Sequence, residues 1–359
     1  MNLYRLSTLI LTLFVCLSIN AQDRHYTLFN YSPILLNPAS AGAFEGTARI
    51  GGIFRDQSPT MNNLYTSPSF YIDAPLLNVR KRDWVGLGIS FYSDDAGPFL
   101  SSSVFHIAGA YHLALDKKRK NVLSVGVSGG TINHRFDQDR GGEAIWGDFD
   151  SSSSSGVGSG IDGLTFENPA SMLDINAGIN LKAQMNKATN INIGFSINHL
   201  FKVDSTNISL FQEGTRNYRL PTLFTLHGEY NVDLNKQWIM SPAFIFQRVA
   251  NQNEGAIQVL LGYRLLKREI RDNGKKGKLL KDPEAPVLRF GLGYRLADAA
   301  QVLLGYHWKD FKVGISYDYT TSGLRDANGG NGSFEVGASY IIKIFKKPEV
   351  DPVILCPKF

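Results

Sequence analysis

Apolar and small polar side chains alternate with a period of two in about fourteen segments between Thr47 and Ile344. Leu173, Ile175, Ala177, Ile179 and Leu181 interleave with Asp174, Asn176, Gly178, Asn180 and Lys182. Phe311, Val313, Ile315, Tyr317 and Tyr319 interleave with Lys312, Gly314, Ser316 and Asp318. Successive strand side chains point to opposite faces, so each segment has one apolar and one polar face. A soluble sandwich of this length fills its inner faces with bulky residues, whereas the polar face here is mostly Gly, Ser, Asn and charge. That pattern predicts an all-β fold, a single transmembrane antiparallel β-barrel of about 14 strands with lipid outside and water or a polar plug inside.

The expected strands are Thr47–Gln57, Leu64–Ala74, Trp84–Asp94, Leu100–Leu115, Asn121–Arg135, Met172–Ala183, Asn190–Leu200, Leu220–Val232, Trp238–Gln247, Ala256–Leu266, Val287–Ala297, Gln301–Trp308, Phe311–Thr320 and Ser333–Ile344. An even count lets both ends of the barrel lie in the periplasm, with short turns on that side and longer loops outside. The long loops are Asp137–Ala170, Phe201–Arg219 and Leu324–Gly332. Trp84, Tyr92, Trp238, Tyr263, Tyr294, Tyr306, Trp308, Tyr319 and Tyr340 fall toward strand ends, where aromatic girdles sit at the membrane boundary. In a soluble barrel the same rings would be core.

Arg5 followed by the apolar run Leu6–Ile19 and then Asn20-Ala21-Gln22 reads as a secretory signal peptide, residues 1–21. No later segment reaches the roughly 18 apolar residues of a spanning helix. Phe14 and Val15 before Cys16 lack the small residues of a lipidation site. The mature chain then holds one cysteine, Cys356, either a structural thiol or a partner for an intermolecular bond. No composition break marks a domain boundary. The expected layout is residues 22–46 at the barrel mouth or lumen, 47–344 as barrel and 345–359 as a periplasmic tail.

The formal net charge is +5, and its placement matters more than its size. Basic clusters occur at Arg80-Lys81-Arg82, at Lys117-Lys118-Arg119-Lys120, and through Lys267, Arg268, Arg271, Lys275, Lys276, Lys278 and Lys281. All fall on the periplasmic rim if the first strand rises from the periplasm. They are either solvated turns or, for the long 267–286 connection, a docking element for an acidic periplasmic partner. Nucleic acid does not fit that compartment.

On the polar face of the last five strands stand Arg264, Arg289, Arg295, Lys312, Asp318 and Glu335. Charges away from water must pair, stay hydrated or grip a plug, so these are expected to form one lumenal network, structural or lining a pathway. Asp137, Asp139, Glu143 and Asp148 partly match a calcium loop, but Gly141 stands where an oxygen ligand belongs and no flanking helices are expected. No nucleophile and base pattern or metal-ligand spacing stands out, so neither an enzyme nor a cofactor is expected. Asn30–Gly46, with Pro33, Pro38 and many small residues, argues against a regular element, yet Ile34, Leu35, Leu36 and Phe44 need burial.

The sequence Asn37-Pro38-Ala39-Ser40-Ala41-Gly42 resembles the entrance motif of the PorP/SprF family. Gly293-Tyr294-Arg295, Asp298-Ala299, Gly305-Tyr306, Phe311, Ser316-Tyr317-Asp318, Ser322-Gly323-Leu324 and Glu335 resemble that family's C-terminal pattern in the same order. The resemblance implies an outer-membrane barrel of the type IX secretion system of Gram-negative bacteria that export surface adhesins and enzymes and often glide. It implies a non-enzymatic component associated with the periplasmic machinery and with a large secreted client. The rival expectation is a diffusion channel or transporter with an open lumen; a barrel lipase is disfavoured by the missing nucleophile and base.

Overall fold

In the computed structural model fourteen strands close into one antiparallel barrel. The structure describes residues 26–57, 65–79, 82–96, 100–136, 170–200, 220–250, 252–266, 268–270, 276–279, 285–323 and 325–344. The strands are β1 (Ala48–Gln57), β2 (Thr66–Asn78), β3 (Trp84–Ala96), β4 (Leu100–Ala114), β5 (Val122–Phe136), β6 (Ala170–Asn186), β7 (Thr189–Asn198), β8 (Leu223–Asp233), β9 (Trp238–Val249) and β10 (Gln252–Arg264). After a small hairpin of β11 (Arg268–Ile270) and β12 (Lys276–Leu279) come β13 (Val287–Arg295), β14 (Ala299–Trp308), β15 (Phe311–Thr320) and β16 (Asn331–Ile342). Neighbours in sequence are neighbours in space. The exceptions are β10, which pairs with β13 past the hairpin, and β1, which pairs with β16 to close the ring.

The alternation decides which side chains face lipid. Phe70, Ile89, Val127, Leu173, Leu292 and Phe334 are exposed outside, whereas Asp174, Asn176, Asn180, Ser196 and Gln258 from the opposite phase are buried. No helix among the described residues is long and apolar enough to cross a membrane, and every main-chain group within the sheet has a strand on either side, as a hydrocarbon environment demands. Two of the rings assigned to the girdles point inward instead: Trp84 and Tyr92 are buried in the lumen. Trp238, Tyr294, Trp308, Tyr319 and Tyr340 are exposed outside.

Strand β1 starts, and β16 ends, at one rim, here the near rim. The near-rim connections are short except for residues 265–286, which carry the β11–β12 hairpin. That hairpin lies inside what the sequence marks only as a loop. The long connections 137–169 and 199–222 belong to the far rim. The signal peptide, the calcium-like loop at Asp137–Asp148, the 345–359 tail and Cys356 lie outside the described residues.

The segment before β1 does form regular turns, contrary to the expectation from its prolines. It contains a 3-10 turn at Phe29–Tyr31, the short helix α1 (Pro33–Leu36) and a second 3-10 turn at Pro38–Ser40. Each proline sits in a first turn, where its missing N–H is no loss and its fixed φ is already helical.

Candidate functional site

Residues 26–46 run through the barrel lumen from the far end to the near rim. At the far end the Tyr26 hydroxyl donates to the Ser67 carbonyl at 3.2 Å, close to the start of β2. At the near rim the Trp84 indole donates to the Gly42 carbonyl at 2.9 Å, at the start of β3. The even strand count does place the start of β1 and the end of β16 on one rim. Tyr26 and Thr27 nevertheless lie toward the other.

The far grip centres on Thr27, which is 1% exposed. Its hydroxyl donates to Asp318 at 2.8 Å and accepts from Arg295 and Gln301, both at 3.0 Å. Its backbone N–H donates to Glu335 Oε1, and the N–H of Leu28 donates to Oε2, both at 2.8 Å. Its carbonyl accepts from Gln258 at 2.8 Å. Arg295 also pairs with Asp318 at 2.8 Å, Asp298 at 3.0 Å and Glu254 at 3.4 Å. Buried charges are costly unless paired and hydrogen-bonded, and here the ordered chain supplies part of that pairing.

The near grip uses the entrance motif. Asn37, fully buried, donates from Nδ2 to the carbonyls of Ile179 at 3.0 Å and Phe195 at 3.3 Å. Its Oδ1 accepts from the Ala39 N–H at 2.9 Å and caps the second 3-10 turn. The Ala41 carbonyl accepts from His112 at 2.8 Å, and the Ala43 carbonyl from Lys182 at 2.6 Å. The Gly42 N–H donates to Asp73 at 2.7 Å, and Asp73 is held in turn by Arg49 at 2.6 Å.

The small residues of the motif are there because main chain meets main chain. Gly42 has φ +71°, and a Cβ on it would stand 2.6 Å from the Cα of Gly86. A Cβ on Gly126 would stand 2.6 Å from Ala39, and one on Gly178 2.1 Å from the Asn37 side chain. Any larger residue at these wall positions displaces the segment.

Lumenal glycines also let side chains meet across an intervening strand. Gly130 on β5 is in register with His106 of β4 and Asp174 of β6. Across it His106 and Asp174 pair at 2.8 Å, and His199 adds a second contact to Asp174 at 2.9 Å. Gly293 on β13 likewise separates Gln258 from Gln301, which bond at 3.1 Å.

The six charged residues that the sequence groups together do not make one network. Arg295, Asp318 and Glu335 are brought together around Thr27. Arg264 pairs instead with Asp233 at 2.5 Å near the rim, because it is the last residue of β10. Arg289 and Lys312 belong to a separate lumenal group within electrostatic range of each other and of Glu229. The strand missing from the sequence grouping is β1: ring closure sets Arg55 opposite Glu335, 3.2 Å away. Thr27, Asp73 and His112 also stand outside that grouping. The inward phase of β2 and β4, which carries Asp73 and His112, is the signal that marks the last two.

Of the docking residues, Arg268, Lys276 and Lys278 lie on the backbone of β11 and β12. Lys267, Arg271, Lys275 and Lys281 lie outside the described residues. Beside Leu35 the packing leaves cavities of about 20 and 50 Å3, space for a few waters at most.

A closed strand ring with an apolar outside, threaded by its own N-terminal segment, defines a plugged transmembrane β-barrel of the outer membrane. The chain belongs to the PorP/SprF family: the family model described as "Type IX secretion system membrane protein PorP/SprF" matches residues 18–340. No curated protein matches it in sequence. Among solved structures it is similar to the Ralstonia pickettii toluene transporter TbuX, with 12% identity, 88% of this chain and 94% of that chain covered, and a TM-score of 0.48. For the Pseudomonas putida toluene transporter TodX the values are 10%, 89%, 94% and 0.47. For a Pseudomonas aeruginosa FadL homologue they are 10%, 85%, 92% and 0.41.

Proposed function

We propose that the protein is a non-enzymatic, non-conducting component of the type IX secretion system. It supports export or surface anchoring of large secreted proteins, adhesins among them, through contacts between its near rim and periplasmic parts of the machine. Family membership supplies the system. The observation that carries the mode of action is the threaded lumen, gripped at Thr27 and again at Asn37–Gly42. A secreted protein has no route through such a barrel, so its surfaces are left to do the work. Short turns at the near rim and long loops at the far rim favour a periplasmic near rim. The 267–286 connection, with its hairpin and seven basic residues among Lys267, Arg268, Arg271, Lys275, Lys276, Lys278 and Lys281, is the main contact to the machinery.

The test pairs two measurements. The secreted and surface proteins of a deletion strain are quantified against the parent, and the purified barrel is placed in a planar bilayer. Selective loss of a few large secreted proteins with no steady conductance supports this reading. Normal secretion with an ohmic channel overturns it in favour of a diffusion channel or transporter.

A further inference from the structure

We propose that the turn between β4 and β5 is a cationic landing site for a carboxylate-rich segment of a periplasmic protein, and that Arg119 relays its occupancy to the plug through Trp84. The proposal rests on the near rim being periplasmic.

Lys117, Lys118, Arg119 and Lys120 are consecutive and exposed. The neighbouring Asp116 makes no ion pair with them among the described residues, although its charge is felt by Lys120, and its carboxylate is engaged by main chain. It accepts from the N–H groups of Asn121 and Lys120, both at 2.7 Å, and of Lys118 at 3.2 Å. None of the four cations is held in an ion pair among the described residues. The turn is thus ordered before any partner arrives, which lowers the entropic cost of binding.

Arg119 is the link inward. Its φ of +54° is the left-handed region that few side-chain-bearing residues adopt. This conformation accompanies a guanidinium lying 5.1 Å from the Trp84 ring and donating to Asn78 at 3.1 Å. The opposing rows put Asn78, Trp84, His112 and Ser124 side by side on β2, β3, β4 and β5. Trp84 stacks on His112, centroids 4.7 Å apart, and His112 bonds Ser124 at 2.7 Å. Trp84 and His112 are the residues that hold the carbonyls of Gly42 and Ala41. A carboxylate that draws Arg119 away removes a cation from the ring that secures the plug.

Trp84 points into the lumen, so Arg119 covers the mouth and not the lipid-facing wall. That placement favours a soluble-facing protein segment over a phospholipid headgroup.

The experiment uses the full chain in zwitterionic nanodiscs with Trp146, Trp238 and Trp308 replaced by Phe, leaving Trp84 as the reporter, and a short oligo-glutamate peptide as probe. Saturable change in Trp84 emission is expected, weakened by salt as surface attraction is screened. Substituting Lys117→Gln, Lys118→Gln and Lys120→Gln together weakens binding by about tenfold or more, since several charges act at once. Arg119→Lys keeps the charge and the turn but lacks the planar group that stacks on an indole. It retains peptide binding by calorimetry and loses most of the emission response. Heat-modifiable gel mobility verifies that each variant is a folded barrel.

Binding unchanged in the triple variant overturns the landing site, and an emission response surviving Arg119→Lys overturns the relay. A response to anionic-lipid nanodiscs without peptide assigns the turn to lipid and overturns the proposal. The secretion phenotype of the deletion strain is unaffected by any of these outcomes, and it tests the secretion role independently.

Discussion

Arg55 on the first barrel strand and Glu335 on the last face each other across the seam that closes the ring, 3.2 Å apart and both buried. The two oxygens of Glu335 also receive the N–H groups of Thr27 and Leu28. One carboxylate therefore joins three stretches of chain: both edges of the seam and the segment inside it.

Glu335→Gln should destabilise the barrel by about 3 kcal/mol, because Arg55 remains buried without its counter-charge. Removing both charges, with Arg55→Met and Glu335→Leu, should recover part of that loss. Recovery stays incomplete by about 1–3 kcal/mol, since the N–H groups of Thr27 and Leu28 lose their acceptors. Denaturant midpoints read from heat-modifiable mobility check both. A double variant as stable as the parent would mean that the plug does not depend on the seam.

Gly178→Val should expel the entrance motif, because a side chain there overlaps Asn37. Asn37→Ala is the milder counterpart and should cost about 1–3 kcal/mol through the abandoned partners at Ala39, Ile179 and Phe195. Planar-bilayer recording should show openings in Gly178→Val that the parent lacks. A silent Gly178→Val barrel of normal mobility would contradict the close approach.

Asp116 offers a pH dependence. The N–H of Asn121 foremost, with those of Lys118 and Lys120, holds its carboxyl below the usual carboxylate range against the opposing effect of desolvation. A depressed folded value means that the stabilising effect is complete above the unfolded value near about 4 and is lost as pH falls through the folded one. The protection factors of the Lys118, Lys120 and Asn121 amides, each exchange rate taken relative to the intrinsic rate at that pH, should therefore fall in acid in the parent. Asp116→Asn should show low protection factors at neutral pH as well, with little further change on acidification.

Deletion of residues Lys275 to Lys281 should lower co-purification with periplasmic secretion partners while leaving a heat-modifiable barrel. Undiminished recovery would remove the hairpin from the contact surface and leave the near-rim turns to account for it.

The strands were legible because a membrane barrel writes its two environments into alternate residues. Phe311–Thr320 needs no adjustment between pattern and structure, and most other ends shift by a few residues. The plug was legible only as a motif. Its near grip rests largely on main-chain groups and on glycines at 86, 126 and 178, whose contribution is the side chain they lack. The charge clusters were half legible. Arg295 and Asp318 sit on one phase of strands close in sequence, whereas Arg55 reaches Glu335 only through ring closure. His106, Asp174 and His199 are scattered in the chain and meet because Gly130 leaves a gap between facing strands. Register, not periodicity, carries that information.

Thr27 and Glu335 bond across a separation of 308 residues. Contacts between the opening and the closing of a chain form only after everything between has been synthesised and delivered, and such non-local pairings are slow to form. A complete ring offers no lateral way in, so the segment enters either before β16 docks on β1 or lengthwise through a mouth. By either route the far grip is complete only once β16 is in place, because Glu335 stands on that strand. A chain truncated before β16 loses its wall and, with it, the partner that fixes its first residues.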